Sequence, residues 1–217
     1  MSISALVLDF GGVISKTMFE THSLTERELG LDAGTLTWRG PFDPQQDNLW
    51  QQMQAQQISE RDYWLQRSFE TGALLGEQWQ SMQDLVRRAR GNNPMDVIRP
   101  QFLNAISAAK NAGVRLAILS NELDLFYGAD FRAKLPFLAD FELIVDATYN
   151  NVLKPDAKAY AFITEGMALD ARECLFVDDQ QRNIDGAAAI GMHCHQFDVL
   201  NPQASYATVL DTLGVKS

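Results

Sequence analysis

Three observations predict an α/β chain, built as a Rossmann-like parallel sheet with an inserted helical module. Short apolar runs alternate with helical stretches from residue 98 onward, a solitary apolar run near the N-terminus closes on Asp9, and residues 15–97 between them carry helical periodicity without strand alternation. Four polar clusters follow apolar runs: Asp9 after Ala5-Leu6-Val7-Leu8, then Ser120-Asn121, Lys154-Pro155 and Asp178-Asp179. An open parallel sheet binds its ligands outside the carboxyl ends of its strands, so clusters that each close a strand would converge there.

Residues 3–8 are mostly apolar and run into Gly11-Gly12, as a buried parallel strand entering a tight loop does. Between residues 14 and 97 the composition turns to Gln, Glu, Arg and scattered Trp. Ser59-Glu60-Arg61-Asp62 reads as a capping box with Asp in place of Glu, and Trp50 and Met53 stand three apart. Across residues 76–90, Trp79, Met82, Leu85 and Val86 share one helical face. Such stripes are core packing in most proteins; Trp38, Arg39 and Trp64 are alternatives for facing a substrate, and the sequence does not choose among them.

After Pro100 a helix is expected over residues 102–112 with Gly113 as its stop, then a strand over 115–119. Strands follow at 142–145, 174–177 and 193–197, with helices at 157–167, 184–190 and 206–213. The expected boundary is therefore discontinuous, with residues 1–14 and 98–217 forming the core and residues 15–97 the inserted module. At 217 residues the chain can hold one good core and a smaller module, since domains run to about 100–150 residues.

No apolar stretch approaches the roughly 18–20 residues that span a bilayer, and no basic segment precedes a signal-peptide core. The expectation is a cytoplasmic protein with no membrane partner. Cys174 and Cys194 lack zinc-site spacing and read as buried free thiols. The net charge of −10 opposes sequence-independent binding of nucleic acid, which depends on Lys and Arg neutralising phosphates. It repels small anions too, so a phosphorylated substrate requires local cations at its site.

Asp9 beside two glycines is an exposed carboxylate next to backbone amides that an anion can approach closely; it reads as a nucleophile or as a turn Asp bound to neighbouring amides. Ser120-Asn121 can grip a phosphoryl oxygen or cap a helix. Lys154, held out of helical geometry by Pro155, offers a compact positive charge for a phosphate or a carboxylate. Adjacent acids at Asp178-Asp179 would repel each other unless a cation or donors compensated, and magnesium takes one or two carboxylates plus waters and substrate oxygens. Asn183 and Asp185 either support that pair or cap the following helix. His22, His193 and His195 form no recognisable triad.

In this order the clusters resemble the four motifs of the haloacid dehalogenase superfamily, whose members are mainly phosphatases with an aspartate nucleophile. The resemblance implies that Asp9 is the nucleophile and a magnesium ligand and that the Gly11 carbonyl is another ligand. It implies that Ser120 and Asn121 bind phosphate, that Lys154 is catalytic and binds substrate by stabilising charge between nucleophile and phosphoryl group, and that Asp178 and Asp179 hold magnesium. Of that pair Asp179 is expected to be the direct ligand. The insert resembles the family's cap, which selects substrate.

One departure carries weight. Most phosphatases of the superfamily place a second Asp two residues after the nucleophile as general acid and base, and Gly11 stands there. The run Asp9-Phe10-Gly11-Gly12-Val13, together with Ser120-Asn121, Lys154-Pro155 and Asp178-Asp179, resembles the branch containing bacterial α-D-glucose-1-phosphate phosphatases, to which the phosphatase-like domain of epoxide hydrolases is related. The implied function is magnesium-dependent hydrolysis of a small phosphate ester, such as a sugar 1-phosphate, through a phospho-aspartyl intermediate. The alternatives are a 2-haloacid dehalogenase, which needs no magnesium, and a non-catalytic binding protein of the same fold.

Overall fold

A computed structural model describes residues 2–89, 93–121 and 123–215. Its chain divides into two compact units. The first comprises Met1–Lys16, Ile98–Leu125 and Ala129–Ser217; the second comprises Thr17–Val97 and Phe126–Gly128.

The first unit is built on five strands, β1 (Ala5–Leu8), β2 (Arg115–Ser120), β3 (Leu143–Asp146), β4 (Cys174–Asp178) and β5 (His193–Gln196). They form one sheet in the order β3-β2-β1-β4-β5 with every pairing parallel. Each lies where the alternation of apolar runs predicts it. The chain builds outward from β1 to β3, then returns to lay β4 on the other side of β1, so the order reverses between β1 and β4. That reversal opens a crevice at their carboxyl ends.

β1 is the centre of the core because it has a neighbour on both sides and all four of its side chains are buried. Ala5 and Val7 join Ala117, Leu119 and Phe176 in a cluster with Tyr160 and Ile163 of one helix and Ile184 and Ala187 of another. Leu6 and Leu8 alternate to the opposite face.

The helices in chain order are α1 (His22–Leu29), α2 (Asn48–Gln54), α3 (Glu60–Leu74), α4 (Met82–Ala89), α5 (Pro100–Asn111) and α6 (Leu123–Tyr127). They continue as α7 (Ala129–Arg132), α8 (Ala147–Asn150), α9 (Ala157–Met167), α10 (Gln181–Ala189) and α11 (Pro202–Thr212). The expected end at Arg90 lies outside the described residues. Short helices α6, α7 and α8 carry too few turns to register as a hydrophobic period, and the sequence reading does not anticipate them.

In the second unit the Ser59–Asp62 capping box forms, with Ser59 accepting from the Asp62 amide and the Asp62 side chain accepting from that of Ser59. The core is aromatic: Phe19 packs edge-on against Trp38 and Trp50, with centroids at 5.6 and 5.3 Å, and Tyr63 packs against Trp64 at 5.0 Å. Trp38 and Trp64 are buried in it and Arg39 is exposed. Asp47 ties this unit together, accepting from the amides of Gly40 (3.1 Å) and Trp50 (2.9 Å), from the Tyr63 hydroxyl (2.9 Å) and from Arg67 (2.5 Å). His22 lies 4.2 Å from the Trp38 ring, and burial, with Arg39 nearby, pushes its pKa down to about 4. It is a neutral packing residue.

Candidate active site

Asp9 directly follows β1 and Asp178 ends β4, so the strand reversal brings them together at the mouth of the crevice. The Asp9 amide donates to the Val177 carbonyl at 2.9 Å, which continues the sheet ladder one residue past β1 and fixes where the carboxylate emerges. Ligand oxygens of Asp9, Asp178 and Asp179 all lie within 4.8 Å of one another.

Lys154 bridges two of these acids. Its Nζ lies 2.8 Å from Asp9 Oδ1 and 2.7 Å from Asp178 Oδ2, with the side chain 1% exposed. It does not sit at a strand end, as its preceding apolar run implies. β3 already ends at Asp146, and Lys154 lies in the irregular stretch before α9, preceding a cis bond to Pro155. Three-dimensional placement comes instead from Asn121, whose Oδ1 accepts from the Lys154 amide at 2.7 Å and whose Nδ2 donates to the Lys154 carbonyl at 3.2 Å. The Asn121 side chain therefore positions the lysine. Ser120, buried at the end of β2, stands beside it.

The two adjacent acids differ sharply. Asp178 is fully buried and saturated: beyond Lys154 it accepts from the Gln180 amide at 2.8 Å and from Asn183 Nδ2 at 3.1 Å on each oxygen. Asn183 lies within α10 and supports the acid instead of capping the helix, while Asp185 accepts from Gln181 at 2.7 Å. Asp179 is only partly buried, and its Oδ2 accepts from Gln180 Nε2 at 3.2 Å.

The loop after Asp9 is shaped by one glycine and leaves the other unconstrained. Gly12 has φ +76°, and a Cβ there would lie 2.8 Å from Asp179 Oδ2. Both backbone and space therefore require glycine at 12. Gly11 has φ −69° and ψ 131°, ordinary extended values, and a Cβ there would meet nothing within 4 Å. Fold does not dictate glycine at 11.

Burial pushes the Asp9 carboxyl up to about 7, with Asp178 adding to the rise while Lys154 and the Phe10 amide oppose it. For Lys154 burial acts downward, but Asp178 and Asp9 outweigh it and hold the ammonium above the ordinary lysine value. Three carboxylates against one ammonium leave a site two charges negative when all are ionised. An all-oxygen donor set with that deficit, and a cradle at Gly12 that a methyl group would fill, fits a hard divalent cation such as magnesium.

Residues 3–191 match the family of haloacid dehalogenase-like hydrolases. The chain belongs to this family. Phosphatase MT3486 of Mycobacterium tuberculosis is 26% identical to this hydrolase over 227 residues, covering 99% of this chain and 100% of that one. Two further curated relatives align with 46% and 44% of this chain, and the aligned parts span only 9% and 38% of those longer proteins.

Among solved structures, the Bacillus subtilis protein YfnB, crystallised with magnesium, superposes with a TM-score of 0.74 at 13% identity over 99% of this hydrolase and 100% of that chain. L-2-haloacid dehalogenase RSc1362 superposes at 0.68 with 16% identity over the same shares. At these identities the likeness is one of fold.

Sequence reasoning did not single out Arg99, Tyr206 or the network beyond β3. Arg99 is buried and donates from Nε to the Gly12 carbonyl at 3.0 Å, and the Tyr206 hydroxyl donates to the Val13 carbonyl at 3.0 Å. Beyond β3, Arg132 reaches Asp124 at 2.6 Å and Asp146 at 2.9 Å. No periodicity or motif in the sequence marks the first pair, whose partners lie in distant segments. Cys174 is buried and free as expected, whereas Cys194 is free but only half-buried because β5 is an edge strand.

Proposed function

We propose that this hydrolase cleaves a small phosphate ester in a magnesium-dependent reaction, with Asp9 as the nucleophile. The observation that carries this reading is the Asp9–Lys154–Asp178 bridge set beside Asp179. It brings three carboxylates and one buried ammonium together in one crevice, which supports these roles.

Asp9 attacks phosphorus, an O–P bond forms to its carboxylate, and the bond from phosphorus to the leaving oxygen breaks. Lys154 holds Asp9 in line and meets charge on the phosphoryl oxygens. Ser120 and the Asn121 backbone bind those oxygens, while the Asn121 side chain keeps Lys154 in place. Water then cleaves the phospho-aspartyl group and restores the carboxylate. Asp9, Asp179 and the Gly11 carbonyl would hold magnesium, and Asp178, saturated by its donors, acts chiefly as the anchor of Lys154. Bound there, the cation supplies neutralisation of charge on the transferring group.

With glycine at 11, a positioned proton donor worth roughly 10²–10⁴-fold is missing. Good leaving groups, as in sugar 1-phosphates or acyl phosphates, are therefore the favoured substrates. The helical unit serves as the substrate-selecting cap, inserted into the core at residues 15–97. Free cysteines agree with a reducing compartment, and we assign the protein to the cytoplasm. Among the described residues no helix is long and apolar enough to cross a membrane.

The dehalogenase reading is weaker because its carboxylate substrate would meet three acids and a single lysine. The deciding experiment measures phosphate release from a panel of sugar phosphates and acetyl phosphate, with and without magnesium, beside the Asp9→Asn variant. Metal-dependent release that vanishes in the variant supports the proposal. Chloride release from 2-haloacids in chelator would replace it with dehalogenation, and no turnover at all would favour a binding protein.

A further inference from the structure

The loop that follows Asp9 has its carbonyls turned inward one by one. Phe10 accepts from the Ser15 amide at 2.9 Å and Ile14 from the Arg99 amide at 3.0 Å. Gly12 accepts from Arg99 Nε and Val13 from the Tyr206 hydroxyl, each at 3.0 Å. The Gly11 carbonyl is outside this set.

Arg99 is among the largest fully buried side chains of the protein. Its guanidinium lies over the Phe197 ring, 5.5 Å from the centroid, and the Phe197 amide donates to the Asp178 carbonyl at 2.9 Å. Tyr206 closes the group, packing edge-on against Phe197 at 5.0 Å. Arg99 and its two aromatic neighbours thus connect the Asp9 loop to the backbone of the Asp178-Asp179 turn from behind. A guanidinium is a suitable brace because its planar fork combines a directed N–H with a face that stacks on an aromatic ring.

We infer that Arg99 is a positioning residue that sets the distance between the Asp9 loop and the Asp178-Asp179 turn, and so the affinity of the cradle for a divalent cation. This rests on the magnesium-dependent reading above. Tyr206 acts with Arg99 by fixing the next carbonyl of the loop. Its influence passes through the Gly12 carbonyl and Phe197.

Electrostatics and geometry make opposite predictions for its removal. Deleting a buried positive charge near a cation site would by itself tighten cation binding, whereas loss of a supporting contact weakens it. Outer-shell partners of metal ligands typically contribute about 10–100-fold in affinity.

The test is calorimetric titration of the metal-free protein with magnesium chloride. Arg99→Met is expected to bind magnesium at least tenfold more weakly than wild type and Tyr206→Phe a few-fold more weakly. Met167→Ala, a core truncation in α9 away from the loop, should lower the melting temperature and leave the affinity within twofold. Should Arg99→Met not fold, Tyr206→Phe and Arg99→Lys carry the test. Affinity unchanged or tighter in the Arg99 and Tyr206 variants overturns the inference while leaving the magnesium reading intact. Equal weakening in Met167→Ala overturns it as well. A wild-type protein that binds no magnesium removes both, and that outcome is distinct because it is visible before any variant is made.

Discussion

Replacing Lys154 with Met removes the ammonium and keeps most of the side-chain volume. The ammonium now sits 2.8 Å from Asp9 and 2.7 Å from Asp178, with its side chain 1% exposed. Without it Asp178, wholly buried, keeps the Gln180 amide and Asn183 as donors, and Asp9 faces it across the vacated space. Breaking a buried pair in this way costs about 3–5 kcal/mol. For a chain of this size each kcal/mol lowers the melting temperature by about 2–4 °C, giving a fall of roughly 6–20 °C.

The pH dependence follows from the sign of the Asp9 shift. Burial already raises the Asp9 pKa and Lys154 opposes that rise, so without the ammonium the native state binds more protons than the unfolded chain. Stability is then recovered as pH falls through that raised pKa and lost as it rises. Urea unfolding in chelator at pH 5 and pH 8 should show the deficit of the variant shrinking at the lower pH. A loss under about 1 kcal/mol, or a deficit equal at both values, would refute the argument that Lys154 is the charge on which the acids depend.

Asp9 alone makes a related prediction for wild type. With its pKa raised from 3.8 to about 7 by burial, the metal-free protein should lose stability as pH rises across that interval, and Asp9→Asn should flatten the slope in the same urea titration. Gly11→Asp should fold with stability within about 0.5 kcal/mol of wild type, because nothing lies within 4 Å of the new Cβ. Steady-state rates should show its turnover of simple alkyl phosphates rising relative to sugar 1-phosphates; an unchanged ratio would mean that the absent acid does not set leaving-group preference. Asp47→Ala leaves Arg67 Nη2, the Tyr63 hydroxyl and two amides without the acceptor they share, while Arg67 Nη1 keeps Glu70. It should cost about 3–5 kcal/mol and collapse the near-ultraviolet dichroism of the tryptophans, and retention of that signal would count against Asp47 as the tie of the helical unit.

Legibility in the sequence followed the length and periodicity of each segment. β1, β2 and β4 were readable because strands buried on both faces are near-continuous apolar runs, and the polar residue that ends such a run is conspicuous. Asp9, Ser120 and Asp178 each stand at such a position. Lys154 was selected through its preceding apolar residues, yet its position depends on Asn121 and on backbone geometry that no periodicity records. The difference between Asp178 and Asp179 was hidden for the same reason, since adjacent residues of one strand end acquire opposite burial only when α10 supplies Asn183. Arg99 and Asp47 are isolated polar residues in otherwise unremarkable stretches. Their partners come from distant segments, so only the folded chain reveals them.

The central place of β1 bears on synthesis as well. Ala5 pairs with Arg115 on one side and with Cys174 on the other, so neither neighbour of the middle strand exists until about 110 and then about 170 further residues have been made. At translation rates of about 5–20 residues per second, an apolar Ala-Leu-Val-Leu segment waits on the order of 5–20 s for its first partner and longer for its second. Residues 17–97 of the helical unit are made during that wait, whereas the sheet closes only after β5 (His193–Gln196) has been made. Over that interval the unpaired apolar segment is open to aggregation unless a chaperone or transient contacts of its own chain cover it.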